Sequence, residues 1–554
     1  MKKTIKYLSI ILLGLGLLAT GSCETTNLDL TDNPNSLPTT AANADLLLNN
    51  VQVDFATAMQ TFGATSAEVS RLSYMFGRNY QNNYGATEFN AAWRISYTGV
   101  LNNIKLMNRI ATEKDLKKHI GMGQVMEAYT IITLVDMFGD IPYSEALDPT
   151  NLNPKLDAGS DVYAKAIELL DNAIVNFNAA STVAPTIDFY YNKNWAKWTK
   201  VANSIKLKIY LQTRLVDPTA ITKFNTIVAS GNFIGSGEDF EFNWGVSNTN
   251  PDSRHPLFSD NYAPAGVEAG YASNWLMDVM KNSKTIQDPR MRYYFYRQVS
   301  NVPVSEQDIR CSVEPIPNHY AAGGYSYCII DNSQGYWGRD HGNNEGIPND
   351  RQKRTAAGVY PAGGKFDGNN FAAISGAAAL SLGAKGYGIT PILLSSSIDF
   401  MRAEAALFGG TGTAKIHMLA GIQKSLTKVR AFVSRDATAN LAFVPASSED
   451  TQYMLEAGDA LDAAGTDIDR LDVIISEFMV SLYGNGIDAY NAYRRTGAPT
   501  TMQPNLEPNP GGFIRSFLYP ASEANTNLNM QQRTTVTERV FWDNNPLTGF
   551  PIGN

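Results

Sequence analysis

Charged residues are scarce in this chain of 554 residues: Asp, Glu, Lys and Arg make up 18% of it, whereas hydrophobic residues make up 44%. The 45 basic residues are outnumbered by 53 acidic ones, which gives a formal net charge of −8. Binding to nucleic acid requires a concentrated excess of Lys and Arg, so this balance argues against a nucleic-acid partner. The large apolar fraction also argues against disorder over most of the chain.

Histidine and cysteine are rarer still, with five and three residues. No two histidines stand four residues apart and no CxxC occurs, so we expect no metal site. The sequence also lacks a G-x-S-x-G elbow, a Walker loop, an H-E-x-x-H pair and an EF-hand loop, and we therefore expect neither a cofactor nor an enzymatic activity. Two distant carboxylates could still meet in the fold as a glycosidase pair, which leaves an exported glycan hydrolase as an alternative.

Long apolar runs are absent except at the start of the chain. Three lysines precede the apolar residues 8–19, a run too short to span a bilayer, since spanning takes about 20 residues. A charged start followed by a short apolar stretch is typical of a secretory signal. We therefore predict that residues 1–22 are a signal peptide.

The residues that follow indicate how the exported chain is held. Thr20-Gly21-Ser22-Cys23 is similar to a bacterial lipobox, in which Cys23 is acylated and becomes the first mature residue. Residues 23–45 are polar and contain proline, so they are predicted to form a lipidated tether. An acidic protein does not adhere to an anionic membrane by charge, so the lipid must be the anchor.

Several segments place apolar residues at helical spacing. The clearest stripes are Val162, Ala166, Leu170, Ala173 and Phe177, and Trp198, Ala202, Ile205 and Ile209. Similar stripes occur within 125–135, 394–408 and 471–482. Helices with one apolar face bury it against a neighbour, as hairpins or solenoid-like pairs. The sequence thus predicts a mostly α fold of helical hairpins with degenerate tetratricopeptide-like pairs, because no exact repeat is present.

The middle and the end of the chain have a different composition, rich in Gly, Pro, Asn and aromatic residues. We predict a single body over 46–554, in which 46–216 and 391–495 form the helical scaffold and 217–390 and 496–554 are loop-rich. Long irregular regions within compact proteins are usually functional. With Cys23 lipidated, Cys311 and Cys328 remain, and in an exported chain they are the candidates for one disulfide; the alternative is a pair of free buried thiols.

Aromatic residues are the most suggestive feature, because 27 Tyr outnumber 24 Phe. Two stretches concentrate them among Asn, Gly and Ser, and their flat faces can stack on sugar rings while neighbouring polar groups bind hydroxyls. The alternative is that the rings fill gaps under long loops or form an interface. The candidate ligand-binding residues are Tyr74, Tyr80, Tyr84, Tyr325, Tyr327, Tyr336, Trp337 and Arg339.

One passage carries a family resemblance. The run from Phe138 to Leu147, FGDIPYSEAL, resembles the hallmark of the SusD/RagB-type outer-membrane lipoproteins of the Bacteroidetes. Further passages similar to the family follow in order along nearly the whole mature chain, at 195–198, 358–364, 391–405, 490–497 and 519–520.

This resemblance implies a helical body with tetratricopeptide-like pairs and a looped region for ligand capture. It implies a lipid-anchored protein at the outer membrane that faces the cell exterior and passes a nutrient, most often an oligosaccharide and sometimes a peptide, to a SusC-like TonB-dependent barrel. No reaction is implied. The pair Arg494-Arg495 is expected to brace scaffold carboxylates, and a purely structural lid on the barrel is a further alternative.

Overall fold

The computed structural model of this chain describes residues 43–263, 270–301, 311, 313–328, 334–343 and 352–545. The predicted signal peptide, the lipid-anchor residue Cys23 and nearly all of the predicted tether lie outside these residues. The chain from Ala44 onward forms one compact unit. Within the described residues, every helix is too short or too polar to cross a bilayer.

Helices dominate the first part of this unit. They are α1 (Ala44–Val69), α2 (Tyr80–Asn83), α3 (Asn90–Arg94), a π-helix (Ile95–Leu101), α4 (Asn102–Glu113), α5 (Lys117–Phe138), α6 (Gly159–Asn178), α7 (Trp195–Gln212) and α8 (Ala220–Ser230).

The middle part holds short helices and strands. They are β1 (Phe240–Asn243), α9 (Pro256–Tyr262), α10 (Asn274–Asn282), α11 (Met291–Tyr294), β2 (Phe295–Tyr296), α12 (Asn318–Gly323), β3 (Ala356–Ala357), a 3₁₀ helix (Ala377–Ser381) and β4 (Ile389–Leu393). The predicted loop-rich region 217–390 therefore contains regular helices, of which α8 is three turns long.

The last part returns to helices. They are α13 (Ser395–Ala406), α14 (Ala414–Ala431), 3₁₀ helices at Phe432–Arg435 and Leu441–Phe443, α15 (Ser447–Ala463), α16 (Asp467–Ser481), α17 (Gly486–Thr496) and α18 (Ala521–Ala524).

Helices that are neighbours in sequence pack on each other, α5 on α6, α6 on α7 and α13 on α14, in the manner of tetratricopeptide-like pairs. The stripes drive this packing. All five stripe residues of α6 and all four of α7 are at most 3% exposed. Burial of one apolar face per helix is the physical reason for the pairing. The predicted mostly α fold is confirmed.

Strands play a small part among the described residues. β1 pairs antiparallel with β4, with Phe242 opposite Thr390, and β2 pairs antiparallel with β3, with Phe295 opposite Ala357. Both pairs join segments that lie far apart in sequence. The first pair fixes the start of the loop-rich middle to the strand that leads into α13, and the second joins two segments within that middle.

The hallmark run 138–147 forms the turn between α5 and α6. Ile141 makes an isolated bridge with Asp157, and the carboxylate of Asp157 accepts hydrogen bonds from the backbone N–H groups of Tyr143 at 2.9 Å and Ser144 at 2.6 Å. Asp140 accepts from the N–H of Gly159, the first residue of α6, at 2.8 Å. The two acids therefore hold the turn and start the next helix, which is a structural role.

Buried charges on α17 connect it to several other helices. Arg495 binds Glu404 of α13 through Nε at 2.8 Å and Nη2 at 2.7 Å, and Arg214 also donates to Glu404, at 3.1 Å. Burial alone would raise the pKa of Glu404, but the two guanidinium groups hold it below its ordinary value. Arg494 donates instead to the backbone carbonyl of Arg515, at 2.6 Å. Thus Arg495 braces a scaffold carboxylate, as expected, whereas Arg494 braces a loop.

The turn between α16 and α17 brings α17 against α1. Gly484 has a φ of +99°, which favours glycine, and a Cβ on Gly486 would collide with the backbone oxygen of Gly63. The side chain of Asn485 accepts from the N–H of Asp488 at 3.2 Å and caps α17. The turn is thus shaped by helix capping and by close helix approach.

The Glu404 cluster can be tested by truncation. Glu404→Ala leaves two buried guanidinium groups without their carboxylate, so we expect the free energy of unfolding to fall by about 3–5 kcal/mol. Glu168→Ala, which removes an exposed partner of Lys165 at 2.7 Å, is the matched control and is expected to cost at most about 1 kcal/mol. Urea denaturation of both variants measures the difference. Equal losses would show that the buried cluster is not a stabilising brace.

Candidate functional site

The described residues enclose a cleft of about 450 Å³ between the C-terminal half of α1 and the segments that carry α9, β2 and β3. Its lining combines aromatic rings, carboxylates and small polar groups from separate parts of the chain. The aromatic, acidic and asparagine side chains of this lining are Glu68, Tyr74, Glu88, Asp260, Asn261, Tyr271, Phe295 and Tyr483. Concave sites with aromatic walls and a few convergent polar groups are typical of small-ligand binding.

One wall of the cleft is a pair of tyrosines held from behind. The rings of Tyr74 and Tyr271 meet edge to face with centroids 5.7 Å apart, and Trp337 belongs to the same buried cluster. The hydroxyl of Tyr74 donates to the backbone carbonyl of Asn343. The guanidinium of Arg339 lies 4.3 Å from the ring centroid of Tyr271 and donates to its hydroxyl at 3.3 Å. Both rings are therefore fixed before any ligand arrives, which lowers the entropic cost of binding.

A second aromatic pair, Phe295 and Tyr483, also lines the cleft, with centroids 5.6 Å apart. Tyr483 stacks on Tyr294 at 4.4 Å, and the hydroxyl of Tyr294 donates to the backbone carbonyl of Val480 at 3.0 Å. Phe295 is 1% exposed, whereas Tyr483 is half-buried. Tyr483 therefore presents more of its ring to the cleft than Phe295 does.

The cleft also carries carboxylates. Glu68, at the end of α1, is half-buried and accepts a hydrogen bond from the hydroxyl of Tyr84 at 2.7 Å. Burial raises the pKa of Glu68 to about 7; the Tyr84 hydrogen bond opposes this effect and the nearby Glu88 adds to it. Glu88 and Asp260 are both exposed. At neutral pH the carboxyl of Glu68 therefore carries its proton part of the time.

Positive charge is missing from this site: among the described residues that line the cleft there is no Lys, Arg or His. Its amides are held in place by the protein. The oxygen of Asn261 accepts from the N–H of Ala357 at 3.1 Å, and the oxygen of Gln60 accepts from the hydroxyl of Thr390 at 2.7 Å. Fixed dipoles and negative charge thus surround the aromatic walls.

The structure brings the two predicted aromatic clusters together. Tyr74, from the first cluster, lines the cleft; Trp337 and Arg339, from the second, stand behind Tyr74 and Tyr271. Tyr84 supports Glu68 from behind. These four residues therefore shape one site, although three of them do so as supports.

The other candidates have different surroundings. Tyr80 is fully buried and lies 3.1 Å from His341 through its hydroxyl, and Tyr336 is buried under the guanidinium of Arg297 at 4.9 Å. Both residues fit the alternative interpretation, in which aromatic rings fill space under long loops. Tyr325 and Tyr327 are half-buried, with centroids 6.2 and 5.8 Å from that of Tyr320.

The structure also joins Cys311 and Cys328 by a disulfide. The two cysteines pack against the buried cluster of Tyr74, Tyr271 and Trp337. The bridge thus lies directly behind an aromatic wall of the cleft. In the structure the two cysteines therefore form a disulfide and are not free buried thiols.

Sequence reasoning missed Glu68, Glu88, Asp260, Tyr271, Phe295 and Tyr483. A signal existed for Tyr271, because it stands in a run of Gly, Tyr, Ala, Ser and Asn like those that marked the other aromatic clusters. Glu68 carried none, since an acid near the end of an amphipathic helix has the pattern of a solvated face. Only its tertiary contacts, with the Tyr84 hydroxyl and the nearby Glu88, distinguish Glu68 from an acid on a solvated helix face.

A larger cavity of about 920 Å³ lies between α4, α5 and α6. Tyr143 is the one aromatic residue among its described lining, and its hydroxyl donates to Glu127 at 2.7 Å. The neighbouring Asp157 is engaged by the hallmark turn, and lysines and an arginine share the same walls. This cavity therefore offers little surface for stacking, and the aromatic-walled cleft is the better candidate site.

Two family models match the chain. Residues 34–309 match the model described as starch-binding, associating with the outer membrane, and residues 381–540 match the model described as SusD and RagB outer membrane lipoprotein. No curated protein matches the chain in sequence.

Solved structures share the fold. A SusD/RagB family protein from Bacteroides thetaiotaomicron is 18% identical with a TM-score of 0.68, covering 91% of this chain and 100% of its own. A SusD homologue from Bacteroides fragilis is 19% identical with a TM-score of 0.65, covering 90% and 100%. A chitin-binding SusD homologue from Flavobacterium johnsoniae is 19% identical with a TM-score of 0.60, covering 90% and 99%.

The helical pairs and the looped middle region define this chain as a protein with the SusD-like fold. With the two family models matched in order along it, the chain belongs to the SusD/RagB family. The expected family is thereby confirmed. The expectation that the hallmark passages serve the scaffold agrees with the contacts of Asp157 and Arg495.

The carboxyl of Glu68 predicts a pH dependence of stability. Its pKa rises from 4.5 to about 7 on folding, so the folded state holds an extra proton between these values. Stability from this group is present below pH 4.5 and is lost as the pH rises through about 7. Glu68→Gln removes this loss. We therefore expect the stability of the variant, relative to that of the natural protein, to be roughly 1–3 kcal/mol greater at about pH 8 than at about pH 5.

Melting temperatures of both proteins across this range measure the effect. Glu168→Gln, at an exposed position on α6, is the matched control and should follow the natural protein at every pH. Parallel curves for Glu68→Gln and the natural protein would mean that Glu68 titrates normally.

Proposed function

We propose that this chain is an outer-membrane lipoprotein, anchored through lipid at Cys23 and facing the cell exterior, that captures an oligosaccharide and passes it to a SusC-like TonB-dependent barrel. The observation that carries the proposal is the aromatic-walled cleft. The half-buried ring of Tyr483 is an apolar surface on which a sugar ring can stack, with the largely buried rings of Tyr74 and Tyr271 in the same lining. Fixed amides and carboxylates beside them can bind hydroxyls.

The comparisons support the same class of ligand. One matched family model is described as starch-binding, and two structures with this fold are described as chitin-binding. A peptide is the alternative ligand. The rings would accept its apolar side chains, but the family descriptions favour a saccharide.

Hydrolysis of a glycan is a second candidate, because a specific observation favours it. A glycosidase needs two carboxyl groups beside the scissile bond, one of them with a raised pKa so that it can act as the acid. Glu68, with its pKa raised to about 7, and the nearby Glu88 share the cleft. We propose capture without reaction, because Tyr84 holds the Glu68 carboxylate as a fixed acceptor and the two matched family models are described as starch-binding and as an outer membrane lipoprotein.

Ligand capture can be tested on the protein that begins after Cys23, by calorimetry against an oligosaccharide array. Tyr483→Ala removes a half-buried ring of the wall, and we expect about tenfold weaker binding of the best ligand with an unchanged fold. Tyr210→Ala, a half-buried tyrosine on α7 outside the cleft, is the matched control and should bind normally.

Three outcomes of this experiment would overturn the proposal or part of it. If both Tyr483→Ala and Tyr271→Ala bound the ligand as tightly as the natural protein does, the cleft would not be the binding site. Release of shorter products from the bound glycan, lost in Glu68→Gln, would favour the hydrolase. Binding of peptides but not of saccharides would change the ligand class.

Delivery to a barrel is tested separately in the native membrane. A tagged full-length chain extracted in mild detergent should co-purify with a TonB-dependent barrel, and Cys23→Ser should leave the membrane fraction because the lipid is the anchor. Recovery of the chain alone would contradict the partnership. Co-purification without any ligand binding would instead support a purely structural lid.

A further inference from the structure

Several buried acids of this protein are paired with a cation, whereas the acids that line the cleft are not. Elsewhere, Glu404 is paired with Arg495 at 2.7 Å, Asp367 with Arg297 at 2.6 Å and Asp288 with Arg290 at 2.6 Å. Within the described part of the chain, Glu68, Glu88 and Asp260 form no ion pair, although all three line one cavity. The described lining of the cleft therefore carries negative charge only, with Arg339 and Arg354 behind Tyr271 at 4.3 and 5.6 Å from its ring centroid.

Glu68 bears the largest cost of this arrangement. Its carboxyl is held at the cleft by one hydrogen bond, from the hydroxyl of Tyr84 at 2.7 Å, and a second carboxylate, Glu88, stands nearby. A desolvated carboxylate without a cation is unfavourable unless a partner arrives to balance it. Without a cation in the cleft lining, Glu68 takes up a proton more readily, and a ligand that brings a cationic group would favour its charged form.

The aromatic walls suit the same kind of ligand. A cation placed over the face of a tyrosine is attracted by the ring electrons. Arg339 already makes this contact with Tyr271 from behind, at 4.3 Å. Tyr483 presents a half-buried ring to the cleft, beside the largely buried Tyr74. A sugar that carries an ammonium group would satisfy both the rings and the carboxylates. A uronic acid or a sulfated sugar would meet like charge in the cleft lining, which is repulsive.

We propose that the cleft selects an amine-bearing oligosaccharide, with the carboxylate of Glu68 as the acceptor for the ligand ammonium and Glu88 and Asp260 as supporting negative charge. This inference rests on the proposed capture of an oligosaccharide and adds the charge of the ligand to it. Glu68 is thereby a specificity-determining residue, because it distinguishes a free amine from the same sugar with that amine acetylated.

A matched pair of probes tests the charge alone. Fully deacetylated and fully N-acetylated β-1,4-linked glucosamine hexamers share one backbone and differ in the amine. At about pH 6, where the amine is protonated, and at low salt, we expect the deacetylated hexamer to bind the protein that begins after Cys23 about tenfold more tightly in calorimetry. Physiological salt should reduce this preference, because ions screen a charge pair in an open cleft.

Proton release gives a readout that stacking does not affect. The ammonium favours the ionised form of Glu68, so binding of the deacetylated hexamer should release up to one proton, seen as a heat that changes with the ionisation enthalpy of the buffer. The Glu68 carboxyl faces Tyr84 and Glu88, with Asp260 in the same cleft. Glu68→Gln should abolish the proton release and the tenfold preference, which is measured as the ratio of the affinities of this variant for the two hexamers.

Two further variants keep the test decisive. Glu88→Gln, at an exposed position, should reduce the preference in the same direction by a smaller factor, even if Glu68→Gln folds poorly. Glu168→Gln, outside the cleft, should change nothing. Equal or tighter binding of the acetylated hexamer, or no binding of the deacetylated one, overturns the inference. If a neutral oligosaccharide still binds in that case, the capture function stands; if no oligosaccharide binds, both fail.

Discussion

The buried polar face of α17 is the constraint on which the scaffold depends. This helix carries Asp488, Asn491, Arg494 and Arg495 in the interior, and each must find a partner or remain a buried polar group without one, at a cost of several kcal/mol. The partners come from different elements. Lys208 of α7 pairs with Asp488 at 2.6 Å, Asp136 of α5 with Asn491 at 2.7 Å and Glu404 of α13 with Arg495 at 2.7 Å.

Asp136 extends this network beyond the helices. Its carboxylate accepts from Tyr163 of α6 and from the indole N–H of Trp542, the latter at 2.9 Å, near the end of the described chain. Apolar stripes alone would allow helices to slide or rotate against one another, because hydrophobic contact is non-directional. Charge-assisted hydrogen bonds have direction, so the polar face of α17 can fix the relative placement of α5, α6, α7 and α13. The cleft, built beside the start of α17, is held by the same placement.

The contrast between scaffold and cleft explains which features the sequence could predict. Helix stripes such as Val162 to Phe177 are local, since spacing along one helix determines them, and so the helical fold was predictable. The cleft is assembled from residues as distant as Glu68, Asp260 and Tyr483, and no local pattern reports that they meet. The aromatic clusters at 74–84 and 325–337 were found by composition, but composition does not tell which ring faces the cleft and which supports it.

The tyrosine excess shows why burial could not be inferred from polarity. Many buried phenols donate to loop carbonyls: Tyr97 to Pro142 at 2.7 Å, Tyr320 to Pro504 at 2.8 Å and Tyr490 to Ile514 at 2.9 Å. Loops that cross a helical core leave carbonyl groups without backbone partners, and a buried carbonyl requires a donor. Phenylalanine fills the same space without supplying one. Tyrosine therefore both packs under a loop and holds it by a hydrogen bond. The few tyrosine rings that line the cleft are kept rigid by the buried tyrosines and loops packed behind them.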